Sequence, residues 1–380
     1  MRHDLLLTGG HVIDPASGVD GRRDVAFGSG KVAAVDAAIP RASAREVVDV
    51  TGAYLAPGLV DLHAHAFIAG HDLGIETDAV CASTGVTTLC DAGSTGAANF
   101  TGLREYVMAR AETRVLGFLH IAAIGLTHLA IGEHCYLEYS NPDLAASVAR
   151  DHRDVVVGVK VRIQKEVVAE HGLEPLRRAI RAASAAGVPV IVHVNNPPVE
   201  YAEVLSLLRS GDIVSHFLHG RGSGILDGAG RIKEGVREAR RRGIVFDVAH
   251  GRNHVNFPVA RKAFEQGFYP DSISSDLTRP GRAGVVRDLP TTLSKFLSLG
   301  MSLGDVVCAA TSTPARAIGR SGQLGSLAPG AAGDAAVFAI EEGRFPYEDA
   351  DGNVMEGAKR WAPRLTVRAG RVWWRRWPQS

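Results

Sequence analysis

The sequence predicts an α/β protein: a (β/α)8 TIM barrel over residues 55–317, carrying a small β-sandwich domain built from residues 1–54 and 318–380. Three observations predict it. Eight apolar, strand-like runs recur along the middle of the chain, each followed by a stretch of helix formers. Both ends read instead as short strands parted by turn residues, which suits termini that pair with each other. The chain's 380 residues also exceed one ordinary core, so a large domain with a small one is the natural division.

The N-terminal strands fall at 4–7, 11–13, 23–27 and 31–35, separated by Gly, Asp, Ser and Pro. The barrel runs follow at 59–63, 86–91, 115–121, 155–161, 188–194, 213–217, 244–248 and 272–276. Continuous Val/Ile/Leu runs suit strands buried on both faces, and their alternation with helical stretches such as 173–186 and 232–242 implies parallel pairing. Eight such units over about 250 residues match the barrel. The C-terminal strands fall at 335–340, 365–367 and 371–374.

Hydrophobic content of 46% and charged content of 22% are ordinary for a soluble globular protein. A net charge of +1 provides no global field to draw in nucleic acid. One basic cluster, 368–376 with Trp373, Trp374 and Trp377, reads as a final strand and tail packed on the protein or on another copy of the chain, so a homo-oligomer is an expectation and a nucleic-acid partner is not. No window reaches the length of a membrane span. Cys81, Cys90, Cys135 and Cys308 are scattered without a CxxC pair, which supports neither structural zinc nor a disulfide framework. The opening MRHDLLLTGG has too short an apolar run for a signal peptide. The default expectation is a reducing, cytoplasmic compartment and a small-molecule substrate.

In a barrel of this kind chemistry sits at the C-terminal ends of the strands. Ionisable residues collect there. The first run ends in Asp61-Leu62-His63-Ala64-His65, the fourth holds Lys160, the fifth His193, the sixth His216, and the eighth ends at Asp276. Residues i and i+2 of a strand face the same way, so His63 and His65 can share a cation. A lone His in an apolar strand is usually a hydrogen-bonded core residue. Four of them with a strand-end Asp, converging on one mouth, read better as ligands for zinc, manganese, iron or cobalt. Lys160 admits two readings: a buried lysine paired with a carboxylate, or a lysine converted by carbon dioxide to an anionic carbamate that bridges two metals.

These residues resemble the amidohydrolase superfamily of metal-dependent hydrolases. The likeness runs through Leu7-Thr8-Gly9-Gly10-His11-Val12-Ile13-Asp14, the metal motif within Ala56-Pro57-Gly58-Leu59-Val60-Asp61-Leu62-His63-Ala64-His65, the exit Thr311-Ser312-Thr313-Pro314-Ala315-Arg316, and 322–337. It implies a binuclear subtype with two divalent metal ions, zinc foremost. His63, His65 and Asp276 would hold the more buried ion, and His193 and His216 the more exposed one. Carboxylated Lys160 and a hydroxide would bridge them. Subtypes lacking this lysine use one metal, often for deamination, so Lys160 argues for hydrolysis of an amide or ester. The resemblance also makes Asp276 the catalytic general base and then acid.

Three residues are candidates for substrate binding. His250 and Arg252 follow the seventh run, where Arg252 could grip a carboxylate bidentately or either could be a loop side chain in solvent, and Arg162, two past Lys160, could reach the mouth or simply pair internally. His219 ranks below His216, because alternation along a strand turns it aside. His71, His128 and His134 lie in loops that could cap the site. Within the superfamily, Lys160-Val161-Arg162, Ser215-His216-Phe217-Leu218-His219-Gly220 and Asp247-Val248-Ala249-His250-Gly251 resemble the deacetylase-like, dihydroorotase-related branch. That implies a small acylated, typically acetylated, hydroxy or amino acid as substrate. The alternative is a cyclic amidohydrolase of dihydroorotase or hydantoinase type, which would share the ligand set. A metal-free scaffold ranks last, since all six ligand positions are filled.

Overall fold

Both ends of the chain pair in one sheet. The N-terminal strands are β1 (His3–Asp14), β2 (Val19–Gly28), β3 (Lys31–Asp36), β4 (Ala44–Asp49) and β5 (Tyr54–Pro57). A computed structural model describes residues 2–376, so the expectation for Trp377 lies outside the described residues. A second sheet follows, made of β6 (Leu59–Ala64), β7 (Val86–Gly96), β8 (Arg114–His120), β9 (Val156–Ile163), β10 (Val190–Val194), β11 (Ile213–Ser215) and β12 (Val245–Asp247). The chain then returns to the first sheet with β13 (Ala335–Glu348), β14 (Val354–Arg368) and β15 (Arg371–Arg375).

The terminal sheet runs β15-β14-β13-β5-β1-β2-β3, with β4 also on β1. All eight strands are joined into one mixed sheet rather than the two separately bonded layers of the expected sandwich. The cause is the length of β1. Its register shifts between Leu7 and Gly10, so its first half pairs with β4 while His11 and Val12 pair with β5. β5 pairs on its other edge with β13 and thereby welds the two chain ends together. Because β5 runs to Pro57, the sheet extends past the expected junction at residue 54, and Gly58 becomes the turning point into the barrel. A Cβ at Gly58 would lie 2.8 Å from both Thr87 Cγ2 and Asp334 Cβ, so only glycine passes there without a shift.

The second sheet is wholly parallel, in the order β12-β11-β10-β9-β8-β7-β6, and curls into a TIM-barrel-like α/β domain. The expected eighth strand is an irregular segment. Residues 272–277 still bridge the open edges: Val248 N donates to Ser272 O (2.9 Å), and His65 N donates to Leu277 O (3.1 Å). Asp61 fastens the seam by accepting from Ser275 N (2.9 Å) and Ser275 Oγ (2.5 Å). Regular strand geometry stops here because Asp276 adopts φ +47°.

Helices pack outside by ordinary means. In Glu174–Ala186, Pro175 sits in the first turn, Leu176, Ala179, Ala182 and Ala183 are buried at helical spacing, and Gly187 caps the end at φ +71°. Inside the barrel, Ile191 and Ile213 lie two residues before His193 and Ser215, within a buried cluster that includes Leu116, Phe118 and Val157. Apolar packing therefore fills the barrel beneath a polar layer at its mouth. No disulfide forms among the described residues, and no helix there is long and apolar enough to cross a membrane.

Candidate metal centre

The polar layer brings together all six expected ligands. His63, His65, Lys160, His193 and Asp276 line one cavity of about 200 Å³. His216 stands behind them, fully buried, with its ring centroid 4.2 Å from that of His193. Ligand-capable atoms of His63, His216 and Asp276 lie within 4.8 Å of one another, and so do those of His193, His216 and His254. A larger groove of about 920 Å³ lies between the Leu289–Ser298 helix and the β13–β14 hairpin. Its lining holds no histidine, so the chemistry belongs to the smaller cavity, where the donors converge.

The imidazoles are oriented from behind. His216 Nδ1 donates to Ala249 O (2.7 Å), which leaves a lone pair on Nε2. His63 Nδ1 meets Ser215 Oγ (3.1 Å), whose hydroxyl in turn donates to Asp247 Oδ2 (3.4 Å). His65 Nδ1 shares a hydrogen bond with Ser94 Oγ (3.0 Å). Among the described residues, Nε2 of His193 and of His216 is buried without a hydrogen-bond partner. Buried polar atoms are normally paired, so two orphaned nitrogens in one polar layer fit a cation. Burial holds His63, His193 and His216 well below the ordinary histidine range, in the neutral form that ligates.

Lys160 and Asp276 complete the set. Lys160 is 1% exposed, and its Nζ lies 3.1 Å from His63 Nε2. Among the described residues no carboxylate oxygen comes within ion-pair distance of it, so the reading as a paired lysine lacks its partner. Burial pulls its amine down to about 7, against the pull of Asp276. Asp276 Oδ1 lies 3.3 Å from His65 Nε2 and 3.7 Å from His63 Nε2. Burial pushes its carboxyl up to about 7, with Lys160 and then Arg162 acting the other way.

Substrate-facing residues divide differently from expectation. Arg162 and Arg252 line the cavity, together with Arg221, Gln164 and Asn195. His250 does not, which corrects its place among the substrate contacts. It is fully buried: Nδ1 donates to Gly251 O (2.8 Å), while Nε2 accepts from Lys295 Nζ (2.9 Å). Lys295, a buried residue of the Leu289–Ser298 helix, pulls the ring away from the mouth. Its place is taken by His254, four residues on, which sequence reasoning missed. Asn195 Nδ2 donates to His254 Nδ1 (2.8 Å), leaving the ring proton on Nε2, which faces Asp276 Oδ2 at 3.7 Å. His254 thus stands at the cavity as a hydrogen-bond donor. The only signal was its position in a loop that also carries Arg252. His219 is outside the cavity and accepts from Arg221 N (3.1 Å).

The likeness to known proteins runs through nearly the whole chain. A model of the amidohydrolase family matches residues 54–372. The chain is 35% identical over 342 residues to Deacetylase Atu3266 of Agrobacterium fabrum, covering 90% of this chain and 84% of the relative. Its fold is similar to a crystal structure of an adenine deaminase, with TM-score 0.92, 30% identity, and 98% and 99% of the two chains covered. It is also similar to that of a dihydroorotase, with TM-score 0.87, 33% identity and 97% of each chain covered.

Proposed function

Since this chain belongs to the amidohydrolase family and is a metal-dependent hydrolase, we propose that it cleaves an amide or ester bond of a small acetylated hydroxy or amino acid, using two divalent cations. His63, His65 and Asp276 would hold one, His193 and His216 the other, with Lys160 as a carbamate between them. Bound there, the ions would lower the pKa of an attacking water and polarise the scissile carbonyl.

The chain's own residues supply the rest. Asp276, at the cavity floor, takes the proton of the attacking water and returns it to the leaving group. Asp247 and Ser215 keep the His63 ring turned inward. Leu73, Leu126 and Leu129 on the cavity wall limit the space and exclude water from the reacting carbonyl.

Lys160 carries the reading. A carbamate forms from a neutral amine, and burial favours that form. Two dications side by side also need an anionic bridge, which an ammonium cannot provide. Lys160→Ala is expected to lose at least one metal equivalent and nearly all turnover, with partial recovery on adding a short carboxylic acid. Metal analysis alongside the rate checks both. Two retained metals with normal turnover would remove Lys160 from the centre and with it the carbamate bridge.

The likeness to a dihydroorotase structure favours a second reading, hydrolysis of a cyclic amide. A screen of N-acetyl and O-acetyl acids of both hands beside cyclic ureides and adenine, with metal-reconstituted protein, separates the two.

A further inference from the structure

Behind one wall of the cavity, where Arg162 lines it, lies a buried group for which the mechanism above has no use. His120 ends β8, Glu133 and His134 lie in the loop that follows, and Arg162 is on β9 two residues past Lys160. His120 and His134 are fully buried and Glu133 is 2% exposed. Ligand-capable atoms of His120, Glu133 and His134 fall within 4.8 Å of one another, so a cation is the first thought.

Two features argue against one. The backbone N–H of Ala122 donates to His120 Nδ1 (3.0 Å). The proton of the neutral ring is then on Nε2, which faces Glu133 Oε1 at 3.5 Å and has no lone pair to offer a metal. Glu133 is also already neutralised, because Arg162 Nη1 donates to both its oxygens at 3.2 and 3.1 Å.

The same contacts define what the group can do. Arg162 has five N–H donors. Nη1 is committed to Glu133, and Nη2 gives one hydrogen to Gln164 Oε1 (3.3 Å). Nε–H and the second hydrogen of Nη2 have no partner among the described residues, on a side chain that lines the cavity. The lining carries Lys160, Arg162, Arg221 and Arg252, with Asp276 as its only carboxylate. Leu126 and Leu129, on the loop that bears Glu133, line it too.

We infer that Glu133 is a positioning residue: buried beside His120 and hydrogen-bonded by Arg162, it latches this loop over the cavity and aims the remaining N–H groups of Arg162 at a carboxylate of the substrate. The inference rests on the hydrolase reading and deepens it. The site selects acyl compounds bearing a free carboxylate and discriminates against neutral compounds of the same shape. A loose arginine would lose side-chain freedom on binding, whereas one pinned along one edge presents the other already ordered.

The test compares an O-acetyl 2-hydroxy acid with its neutral methyl ester. Glu133→Gln should raise KM for the acid about 10- to 100-fold, the worth of a charge-assisted hydrogen bond. Its kcat, its metal content and its rate on the neutral ester should stay near wild type. Arg162→Lys keeps the charge but loses the fork, and should shift KM the same way. It decides alone if Glu133→Gln does not fold. Equal loss on both substrates, loss of metal, or no change would overturn the inference. Calorimetric titration with the free 2-hydroxy acid gives a readout independent of turnover. Glu133-dependent binding without hydrolysis would sink the hydrolase reading and keep this one. Equal hydrolysis of acid and neutral ester would do the reverse.

Discussion

At the scale of single residues, the centre is held under backbone strain. His216 and Asp276 sit at φ +71° and +47°, where a side chain costs about 1–3 kcal/mol, and Ala249, which orients His216, is at +41°. Such positions persist where the surroundings over-determine them, and here they set two donors into the polar layer. His63 and Asp276 should respond differently to mutation. His63→Asn is expected to lose metal and activity together, read by metal analysis and rate. Asp276→Asn keeps an oxygen in the ligand position but cannot accept a proton at neutral pH. It should largely retain metal while turnover falls roughly 10²–10⁴-fold, the usual worth of general acid–base catalysis. Wild-type turnover would remove Asp276 from the mechanism. The candidate ligand positions that converge on the cavity were legible because each lies near the end of an apolar run. His250 was named and His254 was not, because both follow the same strand and Lys295, distant in sequence, is what draws His250 away.

At the scale of elements, glycines make room for the site. Gly93 on β7 lies against the Lys160 stem, where a Cβ would come within 2.5 Å of Lys160 Cγ. Gly251, in the loop after β12, is at φ +49°, and a Cβ there would clash with Asp276 Oδ2 and reach 2.5 Å from His254 Cδ2. Gly251→Ala should therefore displace both side chains, with a fall in turnover of at least about tenfold. Gly267 makes the control, since it has φ +70° and a Cβ there would meet nothing within 4 Å. Both variants should lose about 1–2 kcal/mol from the left-handed backbone, read by denaturant melts. Only Gly251→Ala should lose activity, and equal activity in the two would remove the steric argument. The eighth barrel segment shows the limit of pattern reading at this scale. Its apolar run marks the right place, but the turn at Asp276 that ends regular pairing depends on contacts from His63 and Asp61 across the seam.

At the scale of the whole molecule, barrel and terminal sheet are joined through Asp334. Its carboxylate takes Arg114 Nη1 of β8 (2.6 Å), Arg368 Nη1 of β14 (3.2 Å) and Ala369 N (2.9 Å), and it is 5% exposed. Asp334→Ala leaves these donors facing one another and should cost on the order of 2 kcal/mol, visible as a lower Tm with kcat unchanged. An unchanged Tm would show that the joint is held by apolar packing alone. The strand runs, their parallel order and the candidate ligand positions near their ends are properties of local pattern: apolar periodicity and the two-residue repeat of a strand act over a few residues, so they can be read without knowing what lies opposite. The single connected sheet, the turning of His250 toward Lys295, the arrival of His254, and the seating of Glu133 on Arg162 were decided by the tertiary structure. Each depends on which groups meet across long stretches of chain, and burial then decides which polar atoms are paired and which are left for a ligand.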